Sequence, residues 1–195
     1  MSGGVVGFDL DMTLIDSRPT VLASYDALAL ETGVAIDVEV IAGRLGLKLE
    51  DELAHWFEPA RIEDAAERFR AHYLALEPGR TRLLAGAEAS LDAVLVAGDR
   101  PVIITAKHPL TAGPCLRLLG LDQHQLFAFV HGPEKAGVLR EIAARLYVGD
   151  SPPDMAAAAA AGVPAVGVTT GSFDARELAT RGPRGPAGSS SRRGS

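Results

Sequence analysis

Cysteine is nearly missing from this sequence: Cys115 is the only one in 195 residues. That excludes an intramolecular disulfide and a zinc site built from several thiolates. Positive charge is also scarce, with 19 Lys and Arg against 25 Asp and Glu and a net charge of −6. Four of the arginines lie between Arg181 and Ser195, where there is no acid, so the remaining body is more acidic than the whole. An acidic body argues against binding to a nucleic-acid backbone, and the one basic cluster, this tail, has no interleaved aromatics. A small anionic substrate stays open if a local site or a bound cation overrides the global field. Long apolar runs are missing too. The longest, Met155–Val168, is mostly Ala, is broken by Gly162 and Pro164, and falls short of the roughly 18–20 residues a spanning helix needs. Met1–Val5 has neither a basic segment nor an apolar stretch, so no signal peptide is read there and the expectation is a cytoplasmic protein with no membrane partner.

The composition, 47% hydrophobic and 23% charged, is that of a globular chain. Residues 3–10 read as a buried strand that ends in acid. No strand-like run follows from Ser17 to about Leu84. Helical patterns occupy about 18–32, 37–45, 48–57 and 60–76 instead, punctuated by Gly33, Gly46, Pro59 and Pro78-Gly79. From Ala85 short helices at about 87–97, 110–119, 134–145 and 153–161 alternate with strands at 102–105, 126–130, 146–150 and 165–169. That alternation predicts an α/β fold: a Rossmann-like parallel sheet with helices on both faces. The expected organisation is a core of residues 1–15 and 85–180, an all-helical insert over 16–84, and a disordered tail over 181–195 rich in Gly, Pro, Ser and Arg.

Open parallel sheets place ligands beyond the carboxyl ends of their strands. Here those ends carry Asp9-Leu10-Asp11-Met12-Thr13, Thr105-Ala106-Lys107 and Gly149-Asp150 with Asp154 after it, while Lys135 starts a helix. Several carboxylates in one crevice repel unless a cation sits among them or some are protonated. Oxygen ligands without His or Cys suit Mg²⁺, and a lysine with helix N-termini suits phosphate. Asp9 and Asp11 alone also read as a strand end followed by a turn, since Asp is a turn residue.

With these four segments in order, the chain resembles the haloacid dehalogenase superfamily in its phosphatase branch, close to phosphoglycolate-phosphatase-like hydrolases, over about residues 4–180. The resemblance implies Asp9 as nucleophile, forming an aspartyl-phosphate, and Asp11 as general acid and base. It implies that Thr105, with Ala106 beside it, and Lys135 hold the phosphoryl group. It implies Mg²⁺ bound by Asp9, the main-chain carbonyl of Asp11 and Asp150, with Asp154 in support. The presence of Asp11 favours phosphate over halide chemistry. The insert would be a cap that closes over the site and chooses the leaving group.

Arg18, Arg44 and Lys48 are cations of the insert that either face the crevice or form a solvated helix surface. Trp56 and Phe57 read as packing of the insert, Cys115 as a small buried apolar residue, His108 as pocket lining or loop surface, and Lys107 as near the site. His55, His72, His124 and His131 have no metal-ligand spacing. Met12 stands where the family usually has Gly, in a turn that demands backbone angles a side chain must tolerate. After Gly171–Leu178 the composition shifts abruptly at Arg181, which leaves the strand at 165–169 as an expected exposed edge. The activity expected is hydrolysis of a small phosphorylated metabolite. A sugar-phosphate mutase of the same superfamily and an inactive phosphate-binding protein stay open, as does the oligomeric state.

Overall fold

The computed structural model describes residues 3–43, 45 and 48–179. The tail expected at 181–195 and Arg44 lie outside the described residues. The chain opens with β1 (Val5–Phe8), a tight turn, and β2 (Ile15–Asp16). Four helices follow: α1 (Arg18–Thr32), α2 (Val38–Ala42), α3 (Leu49–Leu53) and α4 (Ile62–Leu76). After β3 (Arg82–Leu83) comes the alternating half: α5 (Ala87–Val96), β4 (Arg100–Ile104), α6 (Pro109–Leu118), β5 (Gln125–Phe127), α7 (Glu134–Glu141), β6 (Ala144–Gly149), α8 (Pro152–Ala161), β7 (Ala165–Gly167) and α9 (Ala175–Ala179).

Among the described residues, five parallel strands form one sheet in the order β5-β4-β1-β6-β7. β1 is central, and the strands that follow it fill first one side and then the other. The strand order reverses there, and a crevice opens beyond its carboxyl end. The period-2 geometry of a strand sorts the apolar residues onto two faces. Val6, Phe8 and Ile103 pack with Leu91, Cys115 and Leu116. Val102, Ile104 and Tyr147 pack with Leu139 and Ala158 on the other. Gly7 makes room on this second face, because a Cβ there would lie 2.9 Å from Cδ2 of Tyr147. Among the described residues β7 is an edge, with Val166 exposed, as the sequence implied.

The helices between β2 and β3 have a core of their own. In α4, Ala65, Ala66, Phe69 and Tyr73 recur at helical spacing and are buried, as are Tyr25 and Leu28 of α1. The rings of Tyr25 and Phe69 lie 4.5 Å apart. Phe57 is buried and Trp56 partly buried in the same cluster, which agrees with a packing role for both.

Two expectations need correction. The region from Ser17 to Leu84 does contain a strand: Arg82–Leu83 pairs antiparallel with Ile15–Asp16. Two residues are too few to register as a pattern, and the pairing is fixed by the chain leaving and re-entering the sheet at one place. The helix expected over 134–145 ends at Glu141, and Ala144 and Arg145 already belong to β6. Ala143, at φ 48°, turns the chain there, in a backbone region where sequence offers no signal for a non-Gly residue.

Candidate active site

A cleft of about 1040 Å³ opens at the carboxyl end of the sheet, between it and the helical insert. Asp9, Asp11, Thr105, Ala106, Lys135, Asp150 and Asp154 all line it. All of the predicted site residues therefore reach one cavity, but they divide into two groups.

The first group is deep. The backbone N–H of Asp9 donates to the carbonyl of Val148 at 2.9 Å, extending the β1–β6 ladder and fixing where its carboxylate points. Lys135, in the first turn of α7, donates to Asp9 Oδ1 and to Asp154 Oδ1, each at 2.7 Å. Asp154 Oδ1 also accepts from the Tyr147 hydroxyl at 2.9 Å, and Oδ2 from Ser151 Oγ at 2.5 Å. Ser151 caps α8, its Oγ accepting the N–H of Asp154 at 3.4 Å while donating to the Asp154 carboxylate, so cap and carboxylate hold each other. Gly149 is required beneath them, since a Cβ would sit 2.6 Å from Cβ of Asp154. Asp150 Oδ1 accepts from Thr13 Oγ1 at 3.3 Å.

Asp9, Asp150 and Asp154 are all buried, and one carboxylate oxygen of each lies within 4.8 Å of the others. One lysine for three acids leaves excess negative charge. Burial pushes the Asp9 carboxyl well above its usual range, against the pull of Lys135 and with Asp154 and Asp150 adding to the rise. Asp150 is pushed up to about 7 by burial and then by the charge of Asp154. Burial opposes the charge of Lys135, but Asp9 and Asp154 together keep its ammonium form favoured and raise its pKa. An all-oxygen donor set with uncompensated charge fits a hard divalent cation such as Mg²⁺. Both oxygens of Asp154 are already hydrogen-bonded, so Asp9 and Asp150 are the carboxylates placed to contact one.

The second group centres on Asp11, whose side chain is more exposed than those of the cluster. Asp11 is not one of the three clustered carboxylates, and its Oδ1 lies 3.1 Å from Nζ of Lys107. Asp9 and Asp11 would share a face on a regular strand, but β1 ends at Phe8 and the turn separates them. Thr13, Leu14 and Ile15 all donate their N–H groups to the Leu10 carbonyl, and Met12 takes φ 62°. Met12 thus adopts the left-handed conformation that Gly would take more readily. Its carbonyl accepts from Thr170 Oγ1, and Arg18 Nη2 lies 4.0 Å from its sulfur. Thr105 follows β4, is buried, and accepts the N–H of Lys107 at 3.1 Å, which leaves its hydroxyl proton available to a ligand.

Sequence reasoning missed Tyr73 and Arg70 of α4, Tyr147, and Phe129, which sits edge-on between His108 and His131 at ring distances of 5.2 and 4.8 Å. Phe129 is about half exposed at φ 62°. Nothing in the local sequence marks these four residues: the tertiary fold brings Tyr73, Arg70 and Phe129 to the cleft and puts the hydroxyl of the fully buried Tyr147 on Asp154. Lys48 lines the cleft and is exposed, while Arg70 is paired with Glu50. Cys115 is fully buried, and burial pushes its thiol up. No histidine belongs to a possible metal cluster among the described residues.

A family model for haloacid dehalogenase-like hydrolases matches residues 6–159. The chain belongs to this family. A second model, for HAD-like hydrolases, matches 136–188. Among curated proteins of the family, the phosphoglycolate phosphatase of Agrobacterium fabrum is 34% identical over 190 residues, 86% of this chain and 81% of that one. The phosphoglycolate phosphatase of Cereibacter sphaeroides is 35% identical over 181 residues, covering 82% of each. A haloacid dehalogenase-like hydrolase structure from Bacteroides fragilis superposes with a TM-score of 0.79 at 24% identity, over 92% of this chain and 94% of that one, and supports the fold. No helix among the described residues is long and apolar enough to cross a membrane.

Proposed function

We propose that this hydrolase is a Mg²⁺-dependent phosphatase of a small phosphorylated metabolite and acts through an aspartyl-phosphate on Asp9. The observation that carries the reading is the buried Asp9 carboxylate, 2.7 Å from Lys135 and clustered with Asp150 and Asp154 at the end of the central strand. A nucleophile there faces the cleft, held by its ladder bond and by Lys135.

An oxygen of Asp9 attacks phosphorus, forming a P–O bond as the bond to the leaving oxygen breaks. Asp11 gives its proton to that oxygen. Water then attacks the phosphoenzyme, Asp11 takes a proton from it, and the Asp9–phosphorus bond breaks to release inorganic phosphate and restore the carboxylate. The Thr105 hydroxyl, the N–H groups around Ala106 and the Lys135 ammonium take the phosphoryl oxygens. Asp9, Asp150 and the Asp11 carbonyl, with Asp154 in support, would hold Mg²⁺, which would supply neutralisation of charge at the phosphoryl group.

Residues 16–84 act in this reading as a cap over a core of 1–15 and 85–180. The curated relatives make 2-phosphoglycolate the first ester to test. The experiment is Mg²⁺-dependent phosphate release across a panel of small phosphate esters, with Asp9→Asn as the blank. Release that needs both Mg²⁺ and Asp9 is expected. No release from folded protein on any ester overturns the reading.

A further inference from the structure

Lys107 stands between the sheet and the helical insert. Its ammonium donates to Asp11 Oδ1 at 3.1 Å on one side and to the Tyr73 hydroxyl at 2.6 Å on the other. It also lies 4.1 Å from the centroid of the Tyr73 ring. The Lys107 side chain is 8% exposed and Tyr73 2%, so solvent does little to replace either contact. Tyr73 is anchored in α4, with its ring 6.3 Å from that of Phe69 in the core of the insert. Among the described residues, Lys107 is the one hydrogen-bond donor to the Asp11 carboxylate. A carboxylate with one anchor takes its orientation from that anchor, and this anchor is shared with the insert.

We infer that Lys107 is a positioning residue that aims Asp11 at the leaving-group oxygen, and that Tyr73 ties this aim to the docked position of the insert. The inference rests on Asp11 acting as the general acid. It separates two kinds of ester. An alkoxide leaves only with a proton, whereas p-nitrophenolate leaves without one. Loss of aim therefore damages alkyl esters more than aryl esters, while general damage to the fold or to phosphate binding affects both alike.

The test uses the full chain with Mg²⁺ and compares wild type, Lys107→Met, Tyr73→Phe and the double variant, measuring kcat and KM for 2-phosphoglycolate and p-nitrophenyl phosphate. Lys107→Met should lower kcat about 100-fold on the alkyl ester and less than about tenfold on the aryl ester, with both KM values within about threefold. Tyr73→Phe should lower the alkyl kcat about three- to tenfold, and the double variant should be no worse than Lys107→Met, because both act through one contact. Equal losses on the two esters, or additive losses in the double variant, overturn the inference. If Lys107→Met does not fold, the alkyl-to-aryl ratio of Tyr73→Phe decides by the same criterion.

Hydrogen exchange over residues 77–84, where the insert rejoins the sheet, gives a readout independent of turnover. Faster exchange in Tyr73→Phe is expected, and unchanged exchange overturns the link to the insert. A wild type that releases phosphate from no ester of the panel overturns the phosphatase reading and the aiming of Asp11 with it, and the exchange result then decides the Tyr73–Lys107 link alone.

Discussion

The two ends of the molecule use the same kinds of charged residue to opposite effect. In the insert, Arg68 pairs with Glu31 and with Asp64 at 2.9 Å, and His72 Nε2 lies 2.6 Å from Glu31. These groups pair with one another at a surface partly open to water. Hydrogen bonds from His72 and Arg68 hold the Glu31 carboxyl below its usual range. At the end of the sheet three buried acids cluster around one lysine, which bonds two of them, and burial pushes the Asp9 and Asp150 carboxyls upward. The first arrangement is comfortable and chemically idle. The second is strained by its own charge and so has affinity left over for a cation or a phosphoryl group.

Four experiments break or sharpen that contrast, from the largest expected effect to the smallest. Asp9→Asn should cut phosphate release by at least about 10⁴-fold, yet leave the Tm of the metal-free protein equal or higher, because one repelling charge is gone. A large fall in Tm would contradict the account of the cluster. Lys135→Met leaves Asp9 and Asp154 without their shared cation and should destabilise the fold by about 3–5 kcal/mol, seen as a lower urea midpoint along with lost activity.

The third concerns pH. The carboxyl of Asp150 ionises near 3.8 in the unfolded chain and near 7 in the fold. A raised acid contributes its stability in full below the lower value and loses it as pH rises through the upper one. Mg²⁺ needs the ionised form. Saturating Mg²⁺ should therefore raise Tm more at pH 8 than at pH 5 relative to EDTA, and equal gains would contradict the assignment. Last, Arg68→Ala in the insert should move Tm by less than about 2 °C and leave phosphate release as it was.

The legible part of the sequence was what local pattern encodes. The alternation after Ala85 and the apolar strands gave the parallel sheet, and Asp9, Thr105, Lys135 and Asp150 announced themselves by standing at strand ends and a helix start. The sequence alone could not separate Asp11 from Asp9, because that depends on a left-handed residue at Met12 and three N–H groups converging on Leu10. Nor could it find Tyr73 or Tyr147, which look like ordinary core aromatics and differ only in where their hydroxyls end. Lys107 was placed near the site without a partner, since its partners lie 96 residues back on the sheet and 34 back on the insert.

The small ribbon of β2 and β3 has a consequence for engineering. Asp16 and Arg82 are directly paired, and the hydroxyls of Thr20 and Thr81 meet at 2.7 Å just above them. Everything between enters and leaves through a doorway one strand-spacing wide, about 5 Å. A two-residue hairpin turn would bridge it. The helices between can then be exchanged for those of a relative, or removed, with the two splice points already side by side and the clustered carboxylates of Asp9, Asp150 and Asp154 left in place at the end of the sheet.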